Sequence, residues 1–290
     1  MTDNTIDPEG LRAVAEQLAT EAAKFVRRRR VEVFGPSPAK SVGASEAPEA
    51  ADEVLAVRTK SSPTDPVTVV DTETERWLRE RLAVLRPGEH VVGEEEGGRQ
   101  VDRDGLSWVL DPIDGTVNFV YGIPAYAVSV AVQLDGRSVA GAVANVPLDA
   151  VYSAAVGRGA RVVRGDASVG LGCSSADDLS MALLGTGFSY VPEQRLRQAQ
   201  VLARLLPNVR DMRRFGSCAL DLCMVAAGQL DAYYEDGVHV WDWAAGALIA
   251  AEAGATVWLP TNPGAGRVGA AAPGIADAVH RVLADAGVDL

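Results

Sequence analysis

The sequence predicts a mixed α/β protein in two halves. An antiparallel sheet with flanking helices comes first, and a segment of alternating strands and helices follows. Three observations carry that prediction. Residues 106–164 read as successive short apolar strands separated by turn signals, among them Asp135-Gly136, as in hairpin-connected strands. Residues 183–286 alternate strand-like and helix-like segments, as in an α/β layer. The composition, 48% hydrophobic and 23% charged over 290 residues, is that of a folded chain able to bury a large core. A boundary near Gly165 divides the chain into halves 1–164 and 165–290.

The first helix starts at Asp7, a good N-cap residue, with Pro8 in the favoured first position. Leu11, Val14, Leu18, Ala22 and Phe25 recur at helical spacing, and the run Arg27–Arg30 is expected to close the helix as cations at its C-terminus. Residues 34–57 are rich in Pro, Ala, Ser and Gly without periodicity and read as a long surface loop. A second helix is predicted over 72–85, with Trp77, Leu78, Leu82 and Leu85 on its apolar face and Pro87-Gly88 as its stop. Strands follow around residues 108–111, 125–134, 138–146, 149–156 and 160–165. The second half predicts strands at 181–188, 210–213, 231–235 and 255–259, and helices at 193–206, 217–227, 241–253 and 275–286.

Charge narrows the function. The chain carries 39 acidic and 27 basic residues, a net charge of −12, which disfavours direct nucleic-acid binding and docking on anionic membranes. Three cysteines, Cys173, Cys218 and Cys223, make no C-x-x-C pair and no disulfide framework. The N-terminal segment lacks the apolar core of a signal peptide, and no apolar run approaches the roughly 20 residues of a membrane span. The expectation is a cytoplasmic protein. His90, His239 and His280 lack zinc spacing, and neither a nucleophile elbow nor a Walker motif is present.

The chemistry concentrates in four segments. In WVLDPIDGTVNF, residues 108–119, an apolar strand ends in Asp111, Pro112 fixes a turn, and Asp114 follows before Gly115 and Thr116 open a helix. Two carboxylates at a strand end can converge on a hard cation, which takes oxygen ligands. The N–H groups of Gly115 and Thr116 at the new helix start suit an anion. In VVGEEEGG, residues 91–98, three adjacent glutamates repel unless cations or solvent absorb their charge. On its own that run reads as a solvated acidic loop. In VWDWAAG, residues 240–246, Asp242 either caps a helix or ligates a metal. In residues 60–75, Asp65 and Asp71 either cap or reach a metal's water shell.

Taken together, GEE at 93–95, DPIDGT at 111–116 and WDWAAG at 241–246 resemble the signature motifs of the inositol monophosphatase family, most of all its bacterial members. KSSPTDPVTVVD at 60–71, GSCALDLCMVAAG at 216–228 and DAYYE at 231–235 extend the resemblance over most of the chain. It implies the layered αβαβα sandwich shared with fructose-1,6-bisphosphatase, a homodimer, and Mg²⁺-dependent, Li⁺-sensitive hydrolysis of a phosphate monoester. It further implies one metal at Glu94, Asp111 and the Ile113 carbonyl, and a second at Asp111, Asp114 and Asp242. A third, weaker metal would sit near Glu94, with Asp71 holding its waters. Thr116 is implied to pair with Glu94 and orient the attacking water, and Gly115 and Thr116 to hold the phosphate. Asp114, Asp242, Glu235 and the Gly216-Ser217-Cys218 segment would contact the substrate. Myo-inositol 1-phosphate is the leading substrate, with histidinol phosphate or fructose 1,6-bisphosphate as alternatives and a regulatory protein-binding role as a further one. The chain departs from the family pattern in Cys218, where many members carry Ala, in the length of its 34–57 loop, and in Glu96, which has no assigned role.

Overall fold

The computed structural model describes residues 6–35, 57–60, 66–97, 105–261 and 265–288. Helix α1 spans Pro8–Phe34. A two-stranded antiparallel ribbon, β1 (Val57–Thr59) and β2 (Pro66–Thr68), leads into α2 (Val69–Leu85). Then come β3 (His90–Gly93), β4 (Leu106–Asp114) and the short α3 (Thr116–Tyr121). The run β5 (Ala127–Leu134), β6 (Arg137–Asn145), β7 (Ala150–Ala155), β8 (Ala160–Arg164) and β9 (Ala167–Gly170) completes a seven-stranded sheet ordered β3 to β9. It is antiparallel except for the β3–β4 pair.

The second half contributes β10 (Leu183–Thr186), α4 (Pro192–Leu205), β11 (Asp211–Arg213) and α5 (Cys218–Ala226). Next come β12 (Ala232–Val238), α6 (Val240–Glu252), β13 (Thr256–Trp258), β14 (Gly266–Ala271) and α7 (Ala276–Asp285). Its sheet runs β11-β10-β12-β14-β13.

Three hydrophobic clusters stack these elements into five layers. One joins α1 and α2 to one face of the large sheet, through Leu18, Leu78, Trp108 and Val130. The second places α5 and α6 between the two sheets, through Leu222, Ile249, Val143 and Tyr233. The third covers the far face of the small sheet with α4 and α7, through Leu205 and Leu283. The large sheet is covered on both faces, which explains why its strands read as continuous apolar runs. The layered α/β sandwich expected from the sequence is the fold observed.

Several boundaries differ from expectation. Helix α1 continues past Arg30 to Phe34, because its buried stripe continues through Val33 and Phe34. The arginine run therefore does not close the helix; it ties it down. Arg27 donates to the Val146 carbonyl (2.7 Å), Arg29 to Glu73 (2.8 Å) and Arg30 to the Phe119 carbonyl (3.1 Å). The second helix starts three residues before the predicted Thr72, at Val69. Strands β1, β2, β9 and β14 have no counterpart in the sequence reading. Among the residues of the 34–57 segment, only 34, 35 and 57 are described, so that predicted loop lies outside the described residues, as does Asp65. Among the described residues, no helix is long and apolar enough to cross a membrane.

Candidate active site

Along an undistorted strand, residues three apart point to opposite faces. Asp111 and Asp114 nevertheless meet, because β4 carries an irregularity between them. Asp111 pairs with Ser129 and Asp114 with Ala127, so three steps on β4 match two on β5. That extra residue is a β-bulge, which re-aims a side chain locally. Pro112 fits there because the break removes the need for its missing N–H. The Asp111 Oδ1 accepts the Ile113 N–H (3.0 Å) and fixes the turn. Gly115 then takes φ +94°, and a Cβ there would sit 3.0 Å from the carbonyls of both Ala125 and Gly216. Only glycine meets both conditions.

Three helix starts converge on this strand end, and each holds a carboxylate. Asp71 closes a capping box on α2, its Oδ2 accepting the Thr68 N–H (2.9 Å) and the Thr68 hydroxyl. Asp242 accepts the His239 N–H (2.6 Å) at the start of α6. It is the third residue of that helix rather than its N-cap, and a carboxylate has two oxygens, so capping and metal ligation do not exclude each other. Asp114 Oδ2 accepts the Ala219 N–H (2.7 Å) and the Ser217 hydroxyl (2.5 Å) at the start of α5. The positive ends of three helix dipoles thus face a cluster of acids.

Asp111, Asp114 and Asp242 offer carboxylate oxygens that all lie within 4.8 Å of one another. Asp111 and Asp114 are buried, and Asp242 is half-buried. Burial, then the like charges of Glu94, Asp114 and Asp242, push Asp111 well above the ordinary carboxylate range. Asp114 is pushed up to about 7, mainly by burial, against the hydrogen bonds from Ser217 and Ala219. Asp242 is raised by burial and by Glu94 and Asp114. Three carboxylates held this close repel one another, and a divalent cation relieves that repulsion. An all-oxygen donor set suits Mg²⁺ or a similar hard ion.

Glu94 stands outside that trio. Its Oε1 takes the Lys60 ammonium at 2.8 Å, and Lys60 also reaches Glu95 at 2.5 Å. The expected Thr116–Glu94 pair does not form. The Thr116 hydroxyl instead lies 3.1 Å from Asp71 Oδ1 and 3.0 Å from the Ile113 carbonyl. Asp71 is fully buried, and desolvation raises it to about 7 despite the Thr68 bonds.

The predicted alcohol-side residues divide. Ser217 is buried, and its hydroxyl donates to Asp114 Oδ2 (2.5 Å). Cys218 and Cys223 lie in the core, and burial pushes both thiols up, which makes them packing residues rather than nucleophiles. Glu235 Oε2 accepts the Tyr233 hydroxyl (2.5 Å), and the carboxyl group is raised by burial. Gly216 packs under Arg214, whose Nη1 is 2.3 Å from where a Cβ would stand. Trp243 is buried in the core, and Trp241 stacks on His239 at 4.8 Å. The Lys60–Glu94 and Ser217–Asp114 contacts are ones that the sequence reading did not assign. Ser217 also caps α5, its hydroxyl accepting the Leu220 N–H (3.3 Å); a serine before an apolar helix signals that cap, but nothing local signals Asp114 as its second partner.

A bulged strand end that gathers acids beneath several helix starts, in a sandwich of two sheets, is the architecture of the metal-dependent sugar-phosphatase fold. The inositol monophosphatase family model matches residues 7–288, and the chain belongs to that family; it is a phosphatase. It is 63% identical to the inositol-1-monophosphatase of Mycobacterium leprae, over 98% of this chain and 96% of the relative. It is 61% identical to the inositol-1-monophosphatase SuhB of Mycobacterium tuberculosis, with the same coverage. The solved structure of Mycobacterium tuberculosis SuhB superposes with a TM-score of 0.80 at 55% identity, covering 98% of both chains. The Thermotoga maritima IMPase superposes with a TM-score of 0.76 at 26% identity, covering 95% of this chain and 97% of that one.

Proposed function

We propose that the chain hydrolyses myo-inositol 1-phosphate to inositol and phosphate with Mg²⁺. The observation that carries the metal reading is the trio Asp111, Asp114 and Asp242, with oxygens within 4.8 Å of one another. The substrate reading rests on the relatives named inositol-1-monophosphatase. Glu94, Asp111 and the Ile113 carbonyl would hold one ion, and Asp111, Asp114 and Asp242 a second, with a third, weaker site near Glu94. Bound there, the ions would neutralise phosphate charge and lower the pKa of water.

The chain's own groups supply the rest. Thr116 donates its hydroxyl proton to Asp71, which leaves an oxygen lone pair for the attacking water. As the water oxygen bonds to phosphorus, its proton passes to Thr116 and the Thr116 proton to Asp71. The P–O bond to the alcohol breaks, and the leaving oxygen takes a proton from solvent. Burial, which raises the Asp71 carboxyl group, favours its accepting that proton. The N–H groups of Gly115 and Thr116 would hold the phosphate. Glu235, Gly216 and Cys218 would border the alcohol, while Ser217 acts through Asp114.

Phosphate release from inositol 1-phosphate, histidinol phosphate and fructose 1,6-bisphosphate, with Mg²⁺ or EDTA and with added Li⁺, tests the reading. Inositol 1-phosphate should give the highest kcat/KM, EDTA should abolish turnover, and Li⁺ should inhibit. Turnover undiminished by EDTA overturns the metal assignment, and preference for another ester overturns the substrate. Homodimer formation is proposed on the family expectation and is read by light scattering. Relatives 38% identical over about 70% of this chain are named Nus factor SuhB, and they motivate a second, protein-binding role beside catalysis. Partner capture that survives Asp114→Asn would separate it from turnover.

A further inference from the structure

Asp71, Glu75 and Arg79 follow one another at intervals of four along α2, so one face of that helix looks toward the site. Asp71 has a role in the reaction proposed above, and Glu75 has none. Yet Glu75 is fully buried, at 0% exposure. Its carboxylate carries the acidic loop by the backbone: Oε2 accepts the Glu95 N–H (2.7 Å) and Oε1 the Glu96 N–H (3.0 Å). Arg79 closes the bracket. Its Nε donates to Glu75 Oε1 (2.9 Å) and its Nη2 to the Gly97 carbonyl (2.5 Å). The loop is pinned at its base by Gly93 N–H to Gly97 O (3.1 Å) and Glu94 N–H to Leu110 O (3.2 Å).

Gly93 belongs to the same device. A Cβ on it would stand 2.2 Å from Glu75 Oε1, so the glycine of the GEE motif admits the carboxylate. Electrostatics alone would not place Glu75 there. Glu95 is raised chiefly by burial, with the charges of Glu94 and Glu75 adding to the shift, and among the described residues Arg79 pairs with Glu75 directly (2.8 Å). A carboxylate at this spot offers two acceptors in a fixed fork, which matches two successive N–H groups.

We propose that Glu75, backed by Arg79, is a positioning residue that fixes the 94–96 loop so that Glu94 presents its carboxylate to the divalent cations of the site. The proposal rests on the reading of Glu94 as a metal ligand. Glu75→Gln replaces one acceptor with an amide donor, and Gly93→Ala displaces the carboxylate without removing charge. Mg²⁺ affinity is measured by titration calorimetry, metal-free stability by thermal melting, and turnover as a function of Mg²⁺. Each single variant should weaken Mg²⁺ binding about tenfold, the size typical for groups that orient a metal's ligands. The double variant should be little worse than either single one, since both break the same contact. At saturating Mg²⁺, kcat should return to within a few-fold of wild type. A lowered melting temperature with unchanged Mg²⁺ affinity in the variants that fold overturns the proposal and leaves Glu75 as a structural group. Absence of Mg²⁺ binding by the wild-type protein overturns the metal reading itself, and this proposal with it.

Discussion

At the residue scale, Asp114 shows how one carboxylate serves fold and site together. It accepts from Ser217 and Ala219 at the start of α5 and lies within reach of Asp111 and Asp242. Asp114→Asn keeps the shape but removes one charge and turns one acceptor into a donor. We expect Mg²⁺ affinity to fall by about 10- to 100-fold and kcat/KM by at least as much, with circular dichroism unchanged. Steady-state kinetics and metal titration check this; full activity would sink the assignment. Ser217→Ala separates two roles. If the hydroxyl orients Asp114, the variant loses about 1 kcal/mol of helix-cap stability and needs more Mg²⁺ for half-maximal activity. Its ranking of phosphate esters should stay that of wild type, whereas a substrate contact would change the ranking.

At the element scale, the strand carrying DPIDGT and the helix with Asp242 in its first turn were readable, because each is a local pattern, whereas the capping box Thr68-x-x-Asp71 was missed and the predicted helix start falls at Thr72. The rest of what was not readable depends on partners far along the chain. Arg27 finds Val146 only after α1 lies across β6 and β7, so its run looked like a helix end. Strand β14, GRVGAA, has Val268 as its one branched residue among small ones, too weak a strand signal on its own, and is held in the sheet by β12 and β13 on either side. The Thr116–Asp71 pair spans 45 positions, and the family resemblance implies Glu94 as the partner instead. Close approach of elements is likewise invisible in sequence. A Cβ on Gly141 of β6 would stand 3.0 Å from the Ala245 Cα on α6, the helix that carries Asp242 in its first turn. Gly141→Ala should push α6 outward and destabilise the protein by about 1–3 kcal/mol, with weaker Mg²⁺ binding as Asp242 moves. Urea melts and metal titration of the variant test this, and unchanged values would show that the layers yield freely.

At the scale of the whole molecule, the acid excess divides into a solvated majority and a buried minority that couples stability to pH and metal. Asp71 and Asp114 ordinarily titrate at 3.8 and are both raised to about 7 in the fold, chiefly by burial. With no metal bound, the folded chain therefore holds more protons than the unfolded chain between those values. Stability must then fall as pH rises from about 4 through about 7, because the folded state gives up protons it had bound more tightly. This is the reverse of the usual carboxylate that is stabilised by a salt bridge. Mg²⁺ competes with those protons for the same oxygens, so its stabilising effect should grow over the same window. At a concentration one hundred times its dissociation constant, a ligand that binds only the folded state contributes about 2.7 kcal/mol. Melting temperatures in EDTA should thus drop between pH 5 and pH 8, and added Mg²⁺ should raise them far more at pH 8 than at pH 5. A melting temperature in EDTA that climbs over that range would show that the buried acids are already ionised and compensated without metal. The cluster would then have to be balanced by the helix starts and Lys60 alone.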